Sequence, residues 1–545
     1  MSEQHYDVVM IGAGHNALVT AGYLAKSGLS VAVLERTAFV GGGAGTFPSS
    51  YHPGFLHEYH SQFHRNIPHL PWHIDLELDK YGLEYIYPPV NNGMPLKDGR
   101  ALIVHADPEE TRKNIERFSK KDADAYFEIY HKYAELAQNI WFPRDYSPPI
   151  SPEEEGDLLK KSKMGREFLE LNKRSAYDMV HEIFETPALR AFYLFLFSVR
   201  GYLPVPTVKN TGFSIVAMTV MGNKAMLPRG GSRQLGNALG AMVTRHGGTI
   251  FLANEVAEII VQNGRAAGVE TVDGKKFMAK KFVVSSADPT QTFLRFVGEK
   301  HLDSGVADKI REYKYGVSGG SFGVLFALHA AVNEAPNYTA SKFEPRINQA
   351  FNTCVGYETP EDVLQHLSEV IDGRPTEEVG IQCAIPSLFD STRAPKGKHS
   401  LLAWQFAPYD VAGKGPEEWD KIRDGYLEKL IDRWIDYAPN IADNLIYKFS
   451  QTPPDTEANL INMREGDFHV GALIPSQLGY NRPIPEFSQY RGPVDKLYLT
   501  GSGTHPGGNI TGAPGYNAAK AIFQYEDMEI WWNPPDIRKV WSEME

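Results

Sequence analysis

Near the start of the chain Gly12, Gly14 and Ala17 stand in a GxGxxA pattern, and the acidic Glu35 follows about twenty residues later. Each residue type has a physical role. Gly12 permits a tight turn, Gly14 lets the backbone approach a pyrophosphate at a helix N-terminus, and Ala17 allows the helix to pack closely. Glu35 would accept hydrogen bonds from an adenosine ribose. Together they predict a dinucleotide site, for NAD or for FAD. Arg36 comes next, and Gly41, Gly42, Gly43, Ala44, Gly45 and Thr46 form a loop too flexible to extend a strand and suited to wrap a second part of a cofactor.

A second cluster is HPGFLHEYHSQFHRNIPHLPWH, with His52, His57, His60, His64, His69 and His73. Imidazoles at such spacing can ligate zinc or iron. No HExxH pair is present, and Pro53, Pro68 and Pro71 break any helix that would align ligands, so no metal is expected. Cys354 and Cys383 form no CxxC motif, and neither a GxSxG elbow nor a phosphate-binding Walker loop occurs.

The elements that must position these residues are legible around them. Tyr6 to Ile11 is a β-branched apolar run, ALVTAGYLAKSG a helix with Leu18, Ala21, Gly22 and Ala25 on one face, and LSVAVLE a second strand. This predicts a right-handed βαβ unit. LPRGGSRQLGNALGAMVTRHGG reads as a glycine-opened helix, followed by strands that turn at Asn263-Gly264 and Asp273-Gly274. Lys496 to Phe523 repeats the strand, glycine turn and small-residue helix. Between these pieces, Asp122–Gln138 and Pro416–Tyr437 predict helices, while SFGVLFALHA and SLLAWQFAPYD predict strands. AFYLFLF reads as a buried helix core before a tunnel wall or membrane face.

The ordered blocks GAGHNA, LERxxxxGGG, PRGGSRQL, NEVAEI, SSADP, YNRPIPEFSQYR and LYLTGSGTHPGGNITGAPGYNAA resemble the bacterial-type phytoene desaturase superfamily, within its phytoene-dehydrogenase-like branch of FAD oxidoreductases. The resemblance implies an α/β fold: a Rossmann-like FAD-binding domain of the glutathione-reductase and amine-oxidase kind with an interleaved α+β substrate domain. It also implies non-covalent FAD. Ala13, Gly14 and Asn16 would bind pyrophosphate, Glu35 ribose, Arg36 with Gly42 and Gly43 the second half of the cofactor, and Val256 would flank adenine. Gly501, Ser502, Asn509 and Ile510 would meet the pyrophosphate, ribityl chain and flavin ring. In this family the histidine segment passes near the flavin, which makes His57, Tyr59, His60 and His64 candidates for substrate contact or base catalysis. His505 reads equally as a structural or a catalytic residue. The family commonly has Gly at Ala17 and often Arg at Tyr516, so an arginine-specific contact is not expected there.

The 545 residues carry 55 Lys and Arg against 67 Asp and Glu, for a net charge of −12. That balance disfavours a nucleic-acid binder. The first residues lack a signal-peptide pattern, and AFYLFLF is far shorter than the roughly 20 residues of a spanning helix. A cytoplasmic location is expected, with peripheral membrane contact left to a local patch. The expected domains are an FAD-binding unit from 1–110, 215–295 and 485–530, a substrate unit from 111–214 and 296–484, and a tail, 531–545. The expected activity is hydride transfer to flavin from a C–C unit of a small hydrophobic, isoprenoid-like substrate. Alternatives are a flavin-dependent isomerase, an oxygen-using amine or alcohol oxidase, and a flavin-stabilised binding protein. The electron acceptor and oligomeric state are left open.

Overall fold

The computed structural model describes residues 3–199, 205–317, 323–376 and 380–544. Strand β1 (Gln4–Ile11), helix α1 (His15–Lys26) and strand β2 (Val31–Leu34) form the expected βαβ unit, with β1 and β2 parallel and Val8 opposite Val31. Thr249–Phe251 pairs with β2, Lys276–Ser285 with the other side of β1, and Leu497–Leu499 with the end of Lys276–Ser285, all in parallel. The start, middle and end of the chain therefore share one seven-stranded sheet. Its remaining strands, Val256–Gln262 and Arg265–Thr271, fold back antiparallel onto Lys276–Ser285 through the two glycine turns.

The apolar runs of these strands are near-continuous because both sheet faces are covered. Val8, Met10, Val31 and Val33 pack under α1, Arg233–Arg245 and Ala513–Tyr525, while Val9, Ile11, Ala32 and Leu34 pack on the opposite side. Small residues set the helix spacing. A side chain on Gly515 would meet the Asn16 carbonyl at 2.1 Å, and the Thr20 hydroxyl donates to the Gly515 carbonyl at 3.0 Å.

A second seven-stranded sheet runs in the order Leu445–Gln451, Leu325–Val332, His399–Phe406, Ile381–Ala384, Ala350–Val355, Val90–Pro95, Ala101–His105. The last two strands depart from the expected grouping, which placed 1–110 with the nucleotide segments. Val90–Pro95 runs parallel to Ala350–Val355, and that pairing joins residues some 260 positions apart. The helix Trp419–Tyr437 buries Tyr426, Leu430 and Trp434 against this sheet. Of the expected strand SFGVLFALHA, Ser321 and Phe322 lie outside the described residues and Leu325–Val332 is the strand. Ala191–Phe197 falls in the helix Pro187–Val199 and is fully covered, as expected of core. Among the described residues no helix is long and apolar enough to cross a membrane.

Between the hairpin of Thr46–Pro48 with Leu56–Glu58, the loop that opens the helix Arg233–Arg245 and a loop of the second sheet, Arg393 is 0% exposed. Its Nη2 stands 2.5 Å from Glu58 Oε1, and its Nε donates to Asp390 Oδ2 at 3.1 Å. Glu58 also accepts from the Thr46 hydroxyl at 2.6 Å and the Ser232 N–H at 3.2 Å, and Asp390 accepts the Gly230 N–H at 2.7 Å. Removing one member of a buried ion cluster strands the others, at a cost of about 3–5 kcal/mol. Arg393→Met is expected to lower the unfolding free energy by about that much in urea titrations, whereas exposed Arg100→Met should change it by less than about 1 kcal/mol.

Candidate functional site

The turn between β1 and α1 needs its glycines for separate reasons. Gly12 has φ +88°, and a Cβ there would lie 2.4 Å from the Ser286 hydroxyl oxygen. Gly14 has open space where its side chain would stand. The Gly14 carbonyl already accepts the Leu18 N–H at 2.9 Å, so the N–H groups of the first turn of α1 face that space as free donors. Glu35 is fixed from two sides: Oε2 accepts the Ala13 N–H at 2.8 Å, and Oε1 accepts the Thr37 N–H at 2.8 Å and its hydroxyl at 2.9 Å. Gly42 lies against Gly14, Gly43 against Met463, and Arg36 donates to the Asn459 carbonyl at 2.9 Å.

The C-terminal glycine block closes the other side. Gly501 has φ +86° and Asn509 φ +84°. Asn16 Nδ2 donates to the Ser502 hydroxyl at 3.3 Å, and His15 Nε2 stands 3.2 Å from the Asn509 carbonyl oxygen. The Thr511 carbonyl accepts from Trp72 at 2.6 Å and from the Tyr146 hydroxyl at 2.8 Å, which anchors the loop after Ile510.

These walls enclose a cavity of about 750 Å³. Gly12, Gly14, Asn16, Ala17, Glu35, Arg36, Gly42, Gly43, Val256, Gly501, Ser502, Asn509 and Ile510 all line it. Ala13 does not; its side chain is buried and only its backbone takes part, through Glu35. Asn16 Oδ1, His60 Nδ1, Gln62 Oε1 and His64 Nε2 are buried in the walls without a protein partner. Buried polar atoms seek partners, so these atoms and the glycine-lined floor fit a long polar cofactor.

The histidine segment separates into different surroundings. His60 lines the cavity, beside Phe468. His64 also lines it and bonds Tyr85 at 2.9 Å, held by the pairing of His64–Arg65 with Ala225–Pro228. His57 lies away from it, 2.9 Å from the Tyr447 hydroxyl and packed on His329 and Phe449. Tyr59 also stays outside, its ring against Phe39 and Phe47. His505 bonds the Arg144 carbonyl at 2.8 Å. Among the described residues no group of side chains is arranged to hold a metal ion.

One chemically relevant residue lies outside every motif. Asp145 lines the cavity, and burial pushes its carboxyl up to about 7 despite Arg144 and a hydrogen bond from Trp141. It stands on one wall with Ala134, Gln138 and Trp141, in a helix that passes through a wider π turn at Ala137–Trp141. The sequence signal was an acid in WFPRD, just past the end of the expected helix Asp122–Gln138.

A mostly parallel sheet that presents a glycine turn, an acid and a second glycine block around one cavity defines a dinucleotide-binding oxidoreductase. The chain belongs to the flavin containing amine oxidoreductase family, whose model matches residues 18–522. FAD is its cofactor. A limonene dehydrogenase chain of Castellaniella defragrans is 31% identical, over 98% of each chain. A lycopene-forming phytoene desaturase of Pseudescherichia vulneris is 24% identical, over 79% of this chain and 82% of the relative. Among solved structures, putrescine oxidase shares the fold at 16% identity with a TM-score of 0.60, covering 96% of this chain and 99% of that one.

Burial leaves several histidines neutral. His15, His60, His366 and His505 are lowered to about 4, and His57 and His64 to about 3, from 6.5. Each stays uncharged in the fold while the unfolded chain takes up a proton as the pH falls below about 6.5. The histidine contribution to stability is therefore full above pH 6.5 and falls toward pH 4. The raised Asp145 carboxyl, which favours the fold below about pH 7, offsets this loss only in part. The urea midpoint is expected to drop, with net proton uptake on unfolding. A midpoint that stays level across that window would contradict the burial of these groups. Gly12→Ala, strained in φ and colliding with Ser286, is expected to fold yet purify without bound flavin, as read from its visible absorbance.

Proposed function

We propose that this flavoprotein dehydrogenates a C–C unit of a small hydrophobic, isoprenoid-like substrate, as a phytoene-dehydrogenase-like branch of its family. The observation that carries this reading is the apolar part of the cavity lining, which belongs mostly to a core cluster separate from that of the nucleotide turn. Met218, Val220, Met221, Leu325, Phe468 and Trp141 form it, so an apolar molecule would gain about 25 cal/mol for every Å² it removes from water. Relatives named for limonene and phytoene lend support.

When bound, FAD supplies the hydride acceptor. The chain's own part is to hold substrate, exclude water and receive the proton. Asp145 lines the cavity and would receive it, since a base works best with a pKa near the working pH. His60, pulled down to about 4, is a weak base and serves better as a neutral hydrogen-bonding wall. His57 and Tyr59 lie off the cavity and take no part in proton transfer.

Anaerobic titration with limonene and with longer isoprenoids should bleach the flavin and give a product lighter by two hydrogens. Unchanged mass would favour the isomerase, hydrogen peroxide release with an amine or alcohol the oxidase, and flavin that no candidate reduces the binding protein. Because Asp145 must be ionised to accept a proton, flavin reduction by substrate should quicken as the pH rises through about 7. Asp145→Asn is expected to keep its FAD, slow reduction by about 100-fold and lose that pH step. A variant with the wild-type profile would exclude Asp145 as the base.

A further inference from the structure

We propose that Arg482 is a positioning residue that stitches together two walls of the flavin site and places behind them a positive charge favouring cofactor reduction. The inference rests on the flavin, not on any particular substrate. Arg482 is 0% exposed. Its Nε and Nη2 donate to the Ser502 carbonyl at 3.1 and 2.7 Å. Nη2 also reaches the carbonyls of His469, Val470 and Gly471 at 3.0, 3.1 and 3.2 Å. Nη1 reaches those of Gly471, Gln477 and Ala472 at 3.3, 3.3 and 3.5 Å.

Two features set this arginine apart from Arg393. All its acceptors are backbone carbonyls, and among the described residues it forms no ion pair with a carboxylate. Asp467, buried in the neighbouring loop, accepts the N–H groups of Gly316 and His469 instead, each at 2.9 Å. A buried cation that no carboxylate touches is costly even when hydrogen-bonded. An apolar side chain in its place would leave the carbonyls of Ser502, His469 and Gly471 without these donors, but a neutral amide would supply donors without the cost of a buried charge.

The second feature is position. Ser502 and Val470 both line the cavity, one from the nucleotide sheet and one from the loop beside Phe468. The guanidinium therefore lies one peptide group behind two adjoining parts of the cavity wall. Accepting a hydride brings negative charge to this site, and a fixed cation in a water-poor wall stabilises that charge without reorganising. The multidentate fork also holds Ser502 in place for Asn16, which Lys cannot reproduce.

The test compares FAD-loaded Arg482→Lys, Arg482→Gln and wild type by midpoint potential, read against a reference dye, and by FAD dissociation constant. Gln keeps donors but removes the charge; Lys keeps the charge but not the fork. The Gln variant is expected to show a lower potential, with an equilibrium constant for reduction about tenfold smaller. The Lys variant should keep the wild-type potential while both release FAD more readily. Equal potentials in all three would overturn the electrostatic role, and wild-type FAD affinity in both variants would overturn the stitch. Should the Gln variant release its flavin on purification, its potential is read with FAD held well above the measured dissociation constant, and a wild-type potential there would overturn the electrostatic role.

Discussion

Arg393 has no access to water, and its guanidinium lies between Glu58, at the end of the hairpin that follows the glycine loop, and Asp390, from a loop of the second sheet. The same acids reach further. Glu58 accepts the Ser232 N–H and Asp390 the Gly230 N–H, so the opening of the helix Arg233–Arg245 is tied into the cluster. Thr46 closes the circuit, donating to Glu58 and accepting the Arg233 N–H at 3.1 Å. One cation faces two acids. Burial raises the Glu58 carboxyl above its ordinary value, whereas Asp390, also pushed up by burial, is brought below it by Gly230, Thr392 and Arg393. The cation holds both buried acids, and hydroxyl and backbone donors meet their remaining oxygens.

The joint matters because the cavity has no wall of its own making. The floor comes from α1 and the glycine turns, one side from Phe468 and Val470, and the far end from Leu325 and Trp404 of the second sheet. A shift between the sheets would open the space between Ser502 and Val470, which Arg482 bridges. The two buried arginines act on different joints. Arg393 fixes the hairpin to a loop of the second sheet through carboxylates, and Arg482 fixes the cofactor wall through carbonyls. The segment Asn459–Met463 completes the enclosure, with the Asn462 side chain bonded to Asp288, Gln291 and Ser286.

The parts of this architecture carried by local pattern were legible in the sequence. Gly12, Gly14 and Glu35 sit in a βαβ unit whose periodicity and turn chemistry are contained within about thirty residues, and they reach the cavity together. What depends on distant pairing was not legible. Val90–Pro95 looks like any short strand, and only Ala350–Val355, far along the chain, decides its sheet. His57 and His60 belong to one histidine-rich stretch, yet His57 is drawn into the aromatic cluster of His329, Tyr447 and Phe449 while His60 turns to the cavity. No spacing rule separates them, because the difference lies in strands hundreds of residues later. Asp145 was hidden by geometry: the π turn before it re-aims the helix face, and such turns leave no clear mark in a hydrophobic pattern.

The surroundings of the cavity also restrict the protonation chemistry it can host. The proposed dehydrogenation must dispose of the proton lost from the carbon next to the one that gives up hydride, and most groups lining the cavity are poor recipients. His60 and His64 have lost basicity to burial. Glu35 commits both oxygens to the backbone and hydroxyl donors that shape the turn. Asp145 is the exception, since the burial that weakens histidine as a base strengthens a carboxylate. The same low-dielectric wall thus acts in opposite directions on the two residue types, silencing the imidazoles and bringing one acid into the neutral range. An apolar lining, a retained cation behind the flavin wall and a single tuned carboxyl are mutually dependent, because wetting the cavity would weaken the pull of Arg482 and return Asp145 to an ordinary, weaker base.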